Sequence, residues 1–382
     1  MARLGYYVSQ QLHKRGLLKQ FIVFSKGQFE TEFPSAPVSK YSRYFLFILN
    51  YLNRIIKPPE HKFRLVQEHL FDILCQSNIT KDIDILFTTN AHLKRTFRKA
   101  KKLGVSIIYV PANPEENYIN DLITEEHKKL GIDSYCPYTY PPRLKFYNDS
   151  VEYIDTVVGT YPTVQATYTN SGKAYKLEKI TGHLKPDFPE HRNTAKKSDD
   201  KYNIIYIATT VPLKGLQYLL EAWQGLLKTS EGEQMQLHIV GKIDIGVQQY
   251  INKHYKQLTN ITYAGRVPDV TAYLAAKDLC VVPSLIDGGP YVALEAAHYA
   301  IPVILTENCG SGELLGKNPS GCKVIPIRDA QAIQDAILWA YDNKGEAEQM
   351  GRNAQKHLEE YDMDKFILNV TDYLEQYPLK RG

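Results

Sequence analysis

Two carboxylates eight positions apart, Asp287 and Glu295, flank a Gly-Gly-Pro step in residues 281–305, VVPSLIDGGPYVALEAAHYAIPVIL. An apolar strand pattern ends at Pro283. A short loop from Ser284 to Gly289 follows, and then a helical pattern with Pro290 suited to its first turn and Tyr291 beside it. Gly288 and Gly289 carry no side chain that would keep a ligand off the backbone. Free N–H groups at a helix start, aligned with its dipole, favour a phosphate. Carboxylates accept hydrogen bonds from sugar and ribose hydroxyls. Taken alone, D-G-G-P reads more simply as a helix start with a capping Asp and a surface Glu.

A second chemical signal lies upstream in residues 206–223, YIATTVPLKGLQYLLEAW. Here Thr209, Lys214 and Gly215 follow a strand and precede a helix. A lysine at that place can neutralise a phosphate as a point charge. A lone Lys-Gly pair is more often a solvated lysine. Arg266, in YAGRVPDV, is a further cation at the end of a strand pattern. In the first half, His92 follows the strand pattern 83–88, and Asn113 follows the pattern 106–110. His92 reads equally as a surface or capping histidine. An amide at Asn113 can orient a hydroxyl but cannot take its proton. Gly310, Gly312 and Gly316 imitate a dinucleotide fingerprint, with Asp329 downstream. The third glycine comes one position late, and Asn318-Pro319-Ser320-Gly321 stops the helix that a full βαβ unit needs.

Taken in order, these segments resemble the retaining glycosyltransferases of family 4, the glycosyl transferases group 1 type. Their pattern is P-S-x-x-E-G-x-G-x-x-x-x-E-A-x-x-x-x-x-P-V-I. Pro283, Ser284, Gly288, Glu295, Ala296, Pro302, Val303 and Ile304 match it, while Asp287 replaces the first Glu and Pro290 the second Gly. Lys214 and Gly215 match the family's K-G, with Thr209 where an Arg is usual. Residues 309–314 resemble its G-x-x-E loop, and Gly182, Phe188 and Pro189 resemble its domain junction. The resemblance implies an enzyme that moves a hexose from a nucleotide-diphosphate sugar to a glycan, lipid-linked or small-molecule acceptor with retention of configuration. It places Lys214 on the diphosphate, Asp287 on the donor sugar and Glu295 on the ribose. Thr209, Gly215, Ser284, Gly288, Gly289, Pro290 and Tyr291 surround the donor, with Arg266 as the replacement cation. His92 and Asn113 stand on the acceptor side. No metal or further cofactor is implied. The alternative is a weak or inactive relative that binds nucleotide sugar or glycan, or serves as an assembly partner. A phosphorylase of the same fold is a third option.

Short apolar runs alternate with helical patterns along the whole chain, which predicts parallel sheets covered on both faces. The expected fold is α/β, with two Rossmann-like domains facing across a cleft (GT-B). Residues 1–183 form the acceptor-side domain, 184–202 a polar linker, and 203–360 the nucleotide-sugar domain. A final helix, 361–382, crosses back to the first domain. The opening helix pattern, 4–18, has no strand before it, so either the true start lies upstream or the first strand is missing. The 382 residues are 43% hydrophobic and 23% charged, enough for two full cores. A net charge of +4 gives no reason to expect nucleic acid. Five cysteines without a C-x-x-C pair point to a reducing, cytoplasmic compartment. There is no signal-peptide pattern, and the apolar run near 44–52 is shorter than the roughly 20 residues a span requires. Arg43, Arg54 and Lys57 flank that run, and Lys94, Arg95, Arg98, Lys99, Lys101 and Lys102 cluster further on. Such runs are commonly solvated faces. The other reading is peripheral contact with the inner membrane face.

Overall fold

The computed structural model describes residues 2–23, 33–37, 42–186, 200–267, 269–316 and 321–379. The chain divides into two compact units. The first holds Met1–Asp121, Tyr135–Gly182 and Met363–Gly382, and the second Leu122–Ser134 and His183–Asp362. Most of the expected linker, 187–199, lies outside the described residues, as do Phe188 and Pro189.

In unit 1, strands β1 (Phe21–Val23) and β2 (Ser35–Pro37) form a parallel pair. Strands β3 (Ile85–Thr88), β4 (Ser106–Tyr109), β5 (Thr156–Gly159) and β6 (Lys176–Lys179) form a separate parallel sheet in chain order. The first predicted strand therefore stands apart from the main sheet. Apolar, β-branched runs make β4 and β5 the buried centre of that sheet. The helix Met363–Glu375 buries Phe366, Ile367, Val370 and Leu374, and it packs on the opening helix Ala2–Lys14. Arg15 ties the two together through Asp372 at 2.7 Å. Thus the C-terminal helix returns to the first unit.

In unit 2, six parallel strands follow: β7 (Tyr202–Ile207), β8 (Met235–Val240), β9 (Ile261–Gly265), β10 (Leu279–Val282), β11 (Val303–Thr306) and β12 (Lys323–Ile325). Their order is β12-β11-β10-β7-β8-β9. This is the doubly wound arrangement. The chain runs outward from β7 to β9, then restarts beside β7 with β10. The loops at the carboxyl ends of β7 and β10 diverge there and leave a crevice. The helix Ser311–Leu315 stops after five residues, too short to complete a dinucleotide-binding βαβ unit.

All five cysteines are buried free thiols. Among the described residues, no helix is long and apolar enough to cross a membrane. The helix Ser42–Ile56 nevertheless leaves Tyr44, Phe47, Ile48, Tyr51, Ile55 and Ile56 exposed.

Two buried groups set the expected acid response. Burial lowers His183 from 6.5 to about 4. Its folded form is neutral, whereas the unfolded chain takes a proton near 6.5. Stability is therefore full above that value and falls as the pH drops towards 4, by about 3 kcal/mol. Burial alone would raise Glu116, but His92 and Arg143 outweigh it and hold it at about 2. Its contribution is present above its ordinary 4.5 and is lost as the pH falls towards 2. The melting temperature should be flat between about pH 7 and 8 and decline in two stages below that, and His183→Phe should shrink the first. A flat profile down to pH 5 in the unsubstituted chain would contradict this.

Candidate active site

The site is built from three loops at the carboxyl ends of β7, β10 and β11. After β7 a single 3₁₀ turn, Pro212–Lys214, projects Lys214. Gly215 then turns the chain at φ +70° into the helix Leu216–Leu226. Only glycine serves at 215. A Cβ there would lie 1.8 Å from the carbonyl oxygen of Pro283, in a backbone region that L-residues avoid. The close approach brings the β10 loop against the lysine turn, and Leu285 N–H donates to the Leu213 carbonyl at 2.8 Å. The β11 loop locks the other side. Asn308 donates its side-chain amide to Leu285 O at 3.0 Å, and Asp287 N–H donates to Asn308 O at 3.0 Å. Thr306 donates to the carbonyl of buried Ser284.

This backbone lattice sets Lys214 Nζ against Asp287 Oδ2 at 2.5 Å. The other Asp287 oxygen accepts from Gly289 N–H at 3.3 Å, closing a turn before the helix Tyr291–His298. Pro290 is the capping residue of that helix rather than a member of its first turn, and Tyr291 opens it with its ring exposed. Glu295 lies one face along the same helix, half-buried, and makes no hydrogen bond or ion pair among the described residues. Burial raises its pKa. It is therefore a partly desolvated carboxyl. Among the described residues, no hydrogen bond or ion pair joins it to Lys214 or Asp287. Thr209 is exposed at the end of β7, on the same edge of the sheet. Arg266 is exposed just past β9, two strands from β7 and so roughly 10 Å to the side. Among the described residues, no cluster of three or more His, Cys, Asp or Glu could hold a metal ion.

In unit 1, His92 is buried. Its ring lies 3.4 Å from Glu116 and 3.8 Å from Glu68, against Phe146 and Tyr147. Arg143 joins both carboxylates, at 2.9 Å to Glu68 and 2.8 Å to Glu116. The histidine thus belongs to an enclosed charge cluster and not to the surface. Asn113 is exposed and donates to the Tyr138 hydroxyl at 3.2 Å.

Sequence reasoning missed the groups that hold the lysine turn. Gln217 Nε2 donates both to the carbonyl of Pro212 and to Glu126 Oε2, each at 3.0 Å. Buried Glu126 also accepts from Tyr218 and Arg328. Their separations of 91, 92 and 202 positions leave no local signal. Gly215→Ala should cost about 3 kcal/mol or more, from the strained φ and the carbonyl overlap together. Denaturant unfolding measures it, and a loss under about 1 kcal/mol would show that the two loops yield easily.

Fold and site together define a doubly wound α/β protein whose ligand position is the crevice between β7 and β10. Residues 187–357 match the family model Glycosyl transferases group 1. Among curated proteins it is 26% identical over 185 residues to the D-rhamnosyltransferase WbpZ of Pseudomonas aeruginosa, covering 47% of this chain and 46% of that protein. It is 28% identical over 173 residues to O-antigen chain mannosyltransferase C of Escherichia coli, covering 42% and 44%. The matched stretch thus spans less than half of each relative. Among solved structures, the E. coli trehalose-6-phosphate structure bound with UDP-2-fluoro glucose superposes with TM-score 0.61 at 13% identity, over 84% of this chain and 79% of that one. At such identity the likeness is one of fold, and that fold is the two-domain α/β architecture of the GT-B class.

Proposed function

We propose that this protein is a glycosyltransferase that uses a nucleoside-diphosphate sugar. The observation that carries the reading is the Lys214–Asp287 pair at the crevice between β7 and β10, inside the stretch that matches the glycosyl transferases group 1 model. The ammonium of Lys214 leaves Asp287 for the donor diphosphate and stabilises the charge that grows there as the glycosidic bond breaks. The helix start at Gly288–Pro290 offers N–H groups to the same phosphates. Asp287, released from the lysine, accepts from a hydroxyl of the donor sugar, and Glu295 accepts from the ribose. Arg266 supplies the second positive charge that Thr209 cannot. Unit 1 receives the acceptor, with Asn113 orienting its hydroxyl. The configuration is retained, the sugar is a hexose, and no metal is needed because protein cations carry the charge. The UDP-sugar bound to the E. coli structural neighbour and the sugar transferases among the relatives support this reading.

A thermal-shift panel of UDP-, GDP- and ADP-sugars tests it, since a ligand of the native state raises the melting temperature. Transfer should then be measured with the stabilising donor, with and without chelator. No shift with any donor would remove the reading. A shift without turnover would instead favour a binding protein.

We further propose peripheral contact with a cytoplasmic, anionic membrane surface, a reading that the helix Ser42–Ile56 supports. It exposes a row of large apolar side chains, residues 42–58 contain no acid, and Arg54 and Lys57 stand at its end. Vesicles containing phosphatidylglycerol should sediment the protein, neutral vesicles should do so less, and Phe47→Asp with Ile55→Asp should abolish binding. Equal sedimentation of the double variant would exclude this helix.

A further inference from the structure

The turn that carries Lys214 has an anchor behind it as well as a partner in front. In front, the ammonium meets Asp287 at 2.5 Å. Behind, the carbonyl of Pro212 accepts both from Gly215 N–H at 3.2 Å, which closes the 3₁₀ turn, and from Gln217 Nε2 at 3.0 Å. Gln217 donates its other N–H to Glu126 Oε2, also at 3.0 Å. Its own buried oxygen, Oε1, has no hydrogen-bond partner among the described residues. Turning the amide over would set that oxygen against a carbonyl and a carboxylate, so the neighbours fix its orientation. An apolar side chain of the same length would fill the space without an unpaired oxygen. A glutamine at 217 therefore answers to its two donors rather than to packing.

Glu126 is itself held from several sides. It is buried, and its segment, Leu122–Ser134, counts with unit 2. Its Oε1 accepts from Arg328 Nε at 2.8 Å and from the Tyr218 hydroxyl at 3.0 Å. Burial and the neighbouring carboxylate raise the Tyr218 pKa, so that hydroxyl stays a donor, and it accepts in turn from Lys129 at 3.0 Å. Arg328 adopts φ +58°, a left-handed conformation that a non-glycine residue keeps only where its surroundings hold it.

We infer that Gln217, fixed by Glu126, is a positioning residue for Lys214, holding the lysine turn while its ammonium serves the donor diphosphate. The inference rests on the donor site proposed above. There the ammonium leaves Asp287 when the diphosphate arrives, so the turn loses its tether in front. The Leu285–Leu213 bond at 2.8 Å then secures it on the β10 side, and the Gln217–Pro212 bond secures it from behind. A turn secured on one side alone can tilt. A displacement of about 1 Å at the ammonium weakens a contact that matters most in the transition state.

Gln217→Met tests this. It keeps the side-chain length and removes both donors together with the unpaired oxygen, so the melting temperature should fall by only a few degrees. With the donor that stabilises the protein, kcat should fall about 10- to 100-fold while KM changes less than about threefold. Glu126→Gln, which turns one acceptor into a donor, should reproduce part of the kcat loss. Tyr218→Phe removes an equally buried hydrogen bond to Glu126 but nothing from Pro212, so it should lower the melting temperature and keep kcat within about twofold. In the Lys214→Met background, Gln217→Met should cost less than about twofold more, because it acts only through the lysine it places. Should Gln217→Met not fold, Gln217→Asn, too short to reach Pro212 and Glu126 together, takes its place with the same expectations. Unchanged kcat in Gln217→Met beside a slow Lys214→Met overturns the inference and leaves the donor site standing. Equal kcat losses in Gln217→Met and Tyr218→Phe, or losses that multiply in the double variant, also overturn it, since they mark a merely structural network. Full turnover in Lys214→Met removes the lysine site and this inference with it.

Discussion

Lys214→Met should lower kcat/KM by about 100-fold or more while leaving the fold intact. The lysine is the cation that the β7 turn delivers to the crevice. Its partner is an acid, so the substitution removes a positive charge and, on the proposed function, also leaves the Asp287 carboxylate turned towards the donor diphosphate without its lysine. Both changes act on a leaving group whose charge increases in the transition state, so kcat should fall more than KM rises. Lys214→Arg should recover little, since a planar guanidinium does not replace a compact ammonium in a turn held by Gly215 and Pro283. The stability change should stay within about 1 kcal/mol, because the pair is partly open to solvent at 29% and 17% exposure. Asp287→Asn should also be slow, and the double variant should be less impaired than the product of the single ones, since each removes the other's partner. Normal kcat in Lys214→Met, with the donor identified by the thermal-shift panel, would move the chemistry elsewhere.

The largest loss of stability should come from Arg143→Met, about 3–5 kcal/mol. Arg143 is buried and bonds Glu68 through Nε and Nη2, and Glu116 through Nη1. Without it, two enclosed carboxylates are left with His92 beside both and with Arg64 on the outer side of Glu68 at 2.9 Å. Burial alone would lower the pKa of Arg143, and the two carboxylates more than reverse this. The melting temperature should drop by roughly 10 °C. Joint replacement of Arg143, Glu68 and Glu116 by apolar residues of similar volume should recover much of the loss, since the cost lies in unpaired buried charge. A drop under about 2 °C for Arg143→Met would mean that water or a shifted side chain reaches the carboxylates. His92→Asn should also destabilise and leave the pH dependence of turnover unchanged, because its ring is enclosed among Glu68, Glu116, Phe146 and Tyr147.

How much of this could be read beforehand depends on the range of each interaction. The runs at 203–208 and 279–283 are apolar and bounded by turn residues, and strands Tyr202–Ile207 and Leu279–Val282 form there. Pro283, Gly288, Gly289 and Pro290 signal a strand-to-helix loop through backbone preferences that act within a few residues. Lys214 and Asp287 could be named as separate chemical groups for the same reason. Their contact could not, because 73 positions separate them. It arises because the doubly wound order places β10 beside β7 and because Gly215 lets the Pro283 carbonyl approach.

By itself, then, the sequence determined the parallel α/β class, the places of the strand ends and the residue types waiting there. These follow from hydrophobic period and turn chemistry, which are local. Only the tertiary structure decided that Lys214 meets Asp287, that His92 is enclosed by Glu68 and Glu116, and that Leu122–Ser134 counts with the second unit. Each of these depends on which strands become neighbours, and that choice is made by burial and pairing across the whole unit rather than within any short stretch of chain.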